Sequence, residues 1–240
     1  MSCSVCLFGD SVAKGVIFDS IRQKYRVLKD CFAASIQAKE HLAVTNYSKF
    51  GCTIDKGREI LERHAEELPS YDFVVFEFGG NDCDFDWHDV AEHPDQPHEA
   101  KTPLETFERS YREAVRFARA NGGNPVLLTL PPIDARRYFK WISRGEDTGA
   151  ILKWLGDVDR IYRWHEMYNL AVCRVAMREH ALLLDISSSF LERSGYQDLL
   201  CEDGIHPNEK GHDVIFESLR QAAHSAAQLG GHKTPRLALA

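Results

Sequence analysis

Four short segments hold the side chains best suited to chemistry. In Leu7-Phe8-Gly9-Asp10-Ser11-Val12 an apolar run passes directly into a Gly-Asp-Ser turn and then into helix-compatible sequence. A serine so placed sits at the carboxyl end of a strand and against a helix N-terminus. The unpaired N–H groups there face any developing negative charge, the setting of a nucleophile that generates an oxyanion. Gly-Asp-Ser is also an everyday turn and N-cap, so this segment alone leaves both readings open. In Cys201-Glu202-Asp203-Gly204-Ile205-His206-Pro207-Asn208, Asp203 lies close enough to His206 in a turn for its carboxylate to hold one imidazole N–H. That leaves the second ring nitrogen as a base, while a plain turn ending in an N-capping Asn208 is the alternative. Phe76-Glu77-Phe78-Gly79-Gly80-Asn81-Asp82 ends an apolar run in two glycines and an asparagine whose amide can donate to an oxyanion. Asn46-Tyr47-Ser48-Lys49-Phe50-Gly51-Cys52 ends another, and Gly51 can present a backbone N–H.

The elements that must position these groups follow from hydrophobic patterning. Short runs rich in strand-forming residues occur at 4–8, 43–47, 73–78, 125–130 and 182–186, with helical patterns at 12–21, 31–41, 54–68, 103–120, 158–179 and 209–228. Alternation of this kind predicts an α/β protein around a buried parallel sheet. All four segments then fall just beyond strand C-termini, the edge where open α/β sheets bind ligands. Because these pieces span Gly9 to His206, a single domain is expected over residues 1–229, with 230–240 a flexible C-terminal tail.

Two stretches exceed what simple connections need, at about 83–102 and 133–157, and they are expected to form a helical or loop lid over the site. They and their borders supply the candidate substrate contacts Asp82, Trp87, Arg136, Tyr138 and Trp141. The aromatic members offer stacking surfaces, and Arg136 is suited to a carboxylate or phosphate. The loop's aspartates and histidines show no familiar ligand spacing, so no metal is expected.

Composition narrows the function classes. The 240 residues are 44% hydrophobic and carry a net charge of -7, which does not suit nucleic acid or an anionic membrane surface as the main partner. No apolar run is long enough to span a bilayer. Seven scattered cysteines, an odd number, fit a reducing cytoplasm.

Taken together, the motifs resemble those of the SGNH hydrolases, the GDSL-type esterases and lipases. Ser11, Gly51, Asn81 and His206 stand in that family's order, within Gly9-Asp10-Ser11, Gly79-Gly80-Asn81-Asp82 and Asp203-Gly204-Ile205-His206. Val12 stands where the motif name implies leucine, a conservative apolar change. The resemblance implies a flavodoxin-like three-layer α/β/α sandwich whose five parallel strands run in the order 2-1-3-4-5. It implies Ser11 as nucleophile, His206 as general base and acid, Asp203 as its partner, and an oxyanion hole from the Ser11 and Gly51 N–H groups and the Asn81 amide. No cofactor is then needed, and the partner is a small-molecule ester. The expected activity is a serine esterase or deacylase acting on a small O-acyl ester, such as an acetylated carbohydrate. Lysophospholipase, thioesterase and acyltransferase are the alternatives, with a non-catalytic binding module as a further class.

Overall fold

The computed structural model describes residues 3–229. The chain runs β1 (Ser4–Gly9), α1 (Ser11–Lys14), β2 (Val16–Asp19), β3 (Lys24–Val27), α2 (Phe32–Lys39), β4 (Ala43–Asn46) and α3 (Ile54–Arg63). It continues through β5 (Phe73–Glu77), α4 (Trp87–Glu92), α5 (Leu104–Ala120), β6 (Pro125–Leu128), α6 (Ala135–Ile142), α7 (Thr148–Leu155) and α8 (Asp159–Arg178). It ends with β7 (Leu182–Leu184), α9 (Ser187–Leu191) and α10 (Glu209–Leu229). Five strands form one parallel sheet in the order β4-β1-β5-β6-β7, which is the expected 2-1-3-4-5 once the two hairpin strands β2 and β3 are set aside. The expectation of a flexible tail at 230–240 concerns residues outside those described.

Strand alternation divides the core into two layers. Cys6, Phe8, Phe76 and Leu127 face the helices α3, α5 and α8, where Ile54, Leu61, Phe107, Tyr111, Tyr168 and Val172 complete one cluster. Leu7 and Leu128 face the other way, onto α2, α9 and α10, against Phe32, Phe190, Ile215 and Phe216. On α5 the buried residues Phe107, Tyr111, Ala114, Val115 and Ala118 recur at three-to-four spacing, giving one apolar stripe. Each large member of it contributes about 1.5–3 kcal/mol by leaving water.

The structure departs from the sequence expectation where helix was expected over 12–21. The helix α1 stops after one turn because Gly15, at φ 80°, takes the left-handed conformation and its N–H caps the Ser11 and Val12 carbonyls. The chain then forms the antiparallel β2–β3 hairpin, with Phe18 paired to Tyr25. Likewise α3 ends at Arg63, short of 68, and a tighter turn carrying Pro69 follows. All seven cysteines are unpaired and six are buried. Burial pushes the Cys3 and Cys52 thiols up to about 11 and those of Cys6 and Cys201 up to about 12.

Candidate active site

The nucleophile candidate emerges from the β1–α1 junction. Asp10 caps α1, its Oδ1 accepting the Val12 N–H at 2.9 Å, so Ser11 is the first helical residue. Its own N–H, like that of Gly51, meets no protein acceptor among the described residues. Ser11 is almost fully buried, and its Oγ lies 2.9 Å from His206 Nε2. On the far side of the ring, His206 Nδ1 lies 2.6 Å from Asp203 Oδ2. With the ring proton on Nδ1, the imidazole donates to Asp203 and accepts from the serine hydroxyl.

The turn that carries His206 is locked from several sides. Asp203 Oδ1 accepts the N–H groups of Ile205 and His206 at 3.0 and 3.1 Å. Gly204 sits at φ 79°, and a Cβ there would meet the Asp134 carbonyl at 2.7 Å and the Tyr138 nitrogen at 2.8 Å, so the turn packs directly on the start of α6. The Asp134 N–H donates to the Gly204 carbonyl at 2.8 Å, closing that contact. Asn208 also caps α10, accepting the Gly211 N–H at 3.1 Å, so the capping reading and the catalytic reading of this segment hold together. Burial works to raise the Asp203 carboxyl, but the bonds from His206 and the backbone outweigh it and hold the group below its ordinary range. The carboxylate is thereby kept ionised beside the imidazole.

Asn81 reaches the same end of the sheet from the β5–α4 connection. One Nδ2 hydrogen goes to Asp10 Oδ2 at 3.1 Å, and the other is free to point elsewhere. Gly51, at φ 69°, occupies the turn between β4 and α3 with open space where a Cβ would stand. Asn81 lines the cavity beside Ser11, whereas from the Gly51 turn it is Phe50 that lines it.

That cavity has a volume of about 320 Å³ and runs from Ser11 and His206 into a wall built by α4, α6, α7 and the start of α8. All four tryptophans of the chain line it, with Phe85 and Tyr138. Phe85 packs edge-on against Trp87 at 5.5 Å and Trp154 at 4.9 Å, giving a connected aromatic surface. Several of the wall's polar groups are engaged with each other, while the buried His165 Nδ1 has no hydrogen-bond partner among the described residues. Asp84 accepts from Tyr138 Oη at 2.6 Å, Trp87 Nε1 at 2.8 Å and Lys101 Nζ at 2.7 Å. Arg160 lies over the Trp154 ring at 4.6 Å and donates to the Trp154 carbonyl at 2.9 Å.

Of the expected substrate contacts, Trp87, Tyr138 and Trp141 face this cavity, and two others do not. Asp82 is fully buried away from it, accepting the Ile54 N–H at 3.0 Å where α3 begins, and burial pushes its carboxyl up to about 7. Arg136 is exposed on the outer face of α6, because Asp134 accepts its N–H and starts the helix with that side chain turned to solvent. Its neighbour Arg137 is spent on Asp134 and the Gln197 carbonyl. Sequence reading missed Tyr25 and Phe50, whose rings lie 5.2 and 6.2 Å from that of His206. It also missed Phe85 and Glu77 in the cavity wall. Only Glu77 carried a signal, an ionisable residue inside an apolar strand.

The histidines of the 83–102 stretch pair with nearby carboxylates, His88 with Glu146 at 3.2 Å and His98 with Asp89 at 3.0 Å. Among the described residues no group of three or more potential ligands is arranged to hold a metal ion. Nor is any described helix long and apolar enough to cross a membrane.

The sequence profile of the GDSL-like Lipase/Acylhydrolase family matches residues 7–214. Among solved structures, the lipase/acylhydrolase from Enterococcus faecalis is similar with a TM-score of 0.64 at 19% identity, over 93% of this chain and 96% of that one. The psychrotrophic esterase EstA from Pseudoalteromonas sp. has a TM-score of 0.60 at 15% identity, over 92% and 97%. The acetylxylan esterase Axe2 from Geobacillus stearothermophilus has 0.61 at 17%, over 91% and 92%. At these identities the likeness is one of fold. A search of curated protein sequences returned no match.

Proposed function

Because this chain belongs to the GDSL-like lipase/acylhydrolase family and is therefore a hydrolase, we propose that it cleaves a small carboxylic ester through an acyl-enzyme formed on Ser11. The observation that carries this reading is the unbroken relay from Ser11 Oγ through His206 to Asp203, with bonds of 2.9 and 2.6 Å. His206 Nε2 takes the hydroxyl proton as Oγ attacks the ester carbon. The oxyanion that forms is met by the Ser11 and Gly51 N–H groups and the free Asn81 amide hydrogen. His206 then returns the proton to the departing alkoxide, leaving the acyl group on Ser11. Water, deprotonated by the same nitrogen, attacks that acyl carbon and releases the acid and the serine.

The aromatic wall supports an apolar portion in the substrate, and the stretches that build it, about 83–102 and 133–157, act as the lid. Asp84, Trp87, Tyr138 and Arg160 are already engaged within the protein and the lining is mostly aromatic, so an aryl or alkyl group suits the cavity better than a sugar's hydroxyls. A domain over residues 1–229 in a reducing, cytoplasmic setting belongs to the same proposal, which six buried thiols suit.

The test is Ser11→Ala against a panel of acetyl, butyryl and octanoyl aryl esters, acetylated sugars and an acyl thioester. Turnover in the wild type and its loss in the variant, with an unchanged circular dichroism spectrum, is expected. Retained turnover would falsify the nucleophile assignment. Aryl esters should exceed acetylated sugars in kcat/KM by about tenfold or more, the scale of one or two apolar contacts. The reverse order would remove the apolar reading and leave the hydrolysis standing.

A further inference from the structure

Two carboxyl groups lie beneath the nucleophile that the triad chemistry does not use. Asp10 and Glu77, at the ends of neighbouring strands β1 and β5, are each only 1% exposed. Asp10 Oδ1 accepts the Val12 N–H at 2.9 Å and its Oδ2 accepts Asn81 Nδ2–H at 3.1 Å. Glu77 Oε2 accepts the Ala13 N–H at 3.1 Å. The Asp10 N–H donates to the Glu77 carbonyl at 3.2 Å, and the two carboxyl groups accept the consecutive N–H groups of Val12 and Ala13 in one helical turn, which brings them side by side. Among the described residues neither forms an ion pair with lysine or arginine.

Two carboxylates in contact, in a poorly polarisable interior and without a cation, cannot both be ionised. One proton therefore stays with the pair. Asp10 accepts two N–H donors, from the Val12 backbone and the Asn81 amide, and Glu77 accepts one, from the Ala13 backbone, so the charge settles on Asp10 and the proton on Glu77. Burial pushes both groups upward, and the Asp10 charge adds to the rise of Glu77.

We propose that Glu77 is a positioning residue: it keeps a proton, donates it to Asp10, and so leaves on Asp10 one fixed negative charge that orients the Asn81 amide for the oxyanion. This rests on the Ser11 reading above. The logic lies in the asymmetry of an amide. An ionised Asp10 only accepts, so it faces the NH2 of Asn81 and repels the C=O, and the second N–H is left for the oxyanion. A protonated Asp10 could donate to the amide oxygen instead and allow the flipped orientation, which offers the oxyanion a carbonyl. Loss of the Glu77 proton errs the other way, placing two negative charges beneath a forming third. The titratable groups around the pair are Asp82 beyond Asn81, His206 from its turn, Cys52 from the β4–α3 connection, Cys83, and Tyr111 Oη from α5. All of these persist when Glu77 alone is changed.

The test uses Glu77→Gln, whose amide can still donate to Asp10 and accept from Ala13 but does not titrate, and Glu77→Leu, which cannot donate. Infrared difference spectra of the wild type near neutral pH should contain a protonated-carboxyl C=O band that Glu77→Gln lacks. Glu77→Gln should hold kcat to within about threefold, while Glu77→Leu loses about tenfold or more in kcat with KM little changed. Raising the pH until the band is lost should lower kcat/KM in the wild type and not in Glu77→Gln. Absence of the band, equal kcat in the two variants, or superimposable alkaline profiles would each overturn the proposal. Should Glu77→Leu fail to fold, the band and the pH profile of Glu77→Gln decide. Ser11→Ala in the same assay separates the two levels: with it inactive, these failures count against Glu77 alone.

Discussion

Replacing Asp203 by asparagine changes one atom at the most buried point of the relay. Asp203 Oδ1 accepts two backbone N–H groups, and Oδ2 accepts from His206 Nδ1 at 2.6 Å. The amide can settle in two ways. With its NH2 toward the backbone it would oppose two N–H groups, each left unsatisfied at a cost of about 1–3 kcal/mol. With its oxygen toward the backbone those bonds survive, and the NH2 faces His206 Nδ1. The second arrangement wins. The imidazole must then offer its lone pair at Nδ1 and carry its proton on Nε2, where it can no longer accept the Ser11 proton. Reversal of the tautomer costs about four orders of magnitude in kcat, near 5.4 kcal/mol. The assay is stopped-flow acylation with an activated aryl ester, beside a thermal melt in which the preserved backbone bonds keep Tm within a few degrees. A folded Asp203→Asn protein with more than a tenth of wild-type kcat would refute the assignment of Asp203 as the partner of His206.

Two further substitutions probe the scaffold. Gly57 lies on α3 where a Cβ would come within 2.3 Å of the buried Phe78 ring, so Gly57→Ala should destabilise by about 1–3 kcal/mol, the overpacking outweighing the gain of at most about 1 kcal/mol in helix propensity. A urea midpoint at or above wild type would contradict this. His212 is 1% exposed, stacks on Phe32 at 5.8 Å, and neither ring nitrogen has a partner among the described residues. Burial pushes it down from 6.5 to about 4, so the unfolded chain binds the proton more tightly. The stability this supplies is complete above pH 6.5 and is lost as the pH falls toward 4, a change of about 3 kcal/mol. His212→Leu should remove that slope from the denaturation free energy measured between pH 7 and 4, and an unchanged slope would show that the ring is not buried neutral.

The sheet and the four strand-end segments were legible because each obeys a local rule: apolar runs that break at glycine, and polar groups placed where helix N-termini begin. Strand order came with the family likeness, since patterning alone says nothing about which strands are neighbours. The helical pattern of Val12 to Ile21 covers β2 and hides the hairpin, whose second strand β3 lies in a stretch assigned no element, because the stop is a single Gly15 between Lys14 and Val16. That error concealed Tyr25, which reaches His206 only through the hairpin. Asp82 follows Asn81 directly and therefore looked like part of the site, but its carboxylate is turned to the first N–H of α3. Which way a side chain points from a loop depends on the element packed behind it, and local sequence does not encode that.

The buried thiols have a practical consequence for anyone handling this protein. A group shifted to about 12, as at Cys6 and Cys201, holds only on the order of one part in ten thousand as reactive anion at pH 8, even before access is considered. Alkylation of the native chain must then wait for the fold to breathe, and the residues label in the order in which their surroundings come apart. Cys6 sits in β1, inside the sheet between β4 and β5, and Cys201 beside the hairpin, its sulfur accepting the Phe18 N–H at 3.4 Å. The two act as separate clocks, one timing the rupture of the sheet and the other the loosening of the catalytic end.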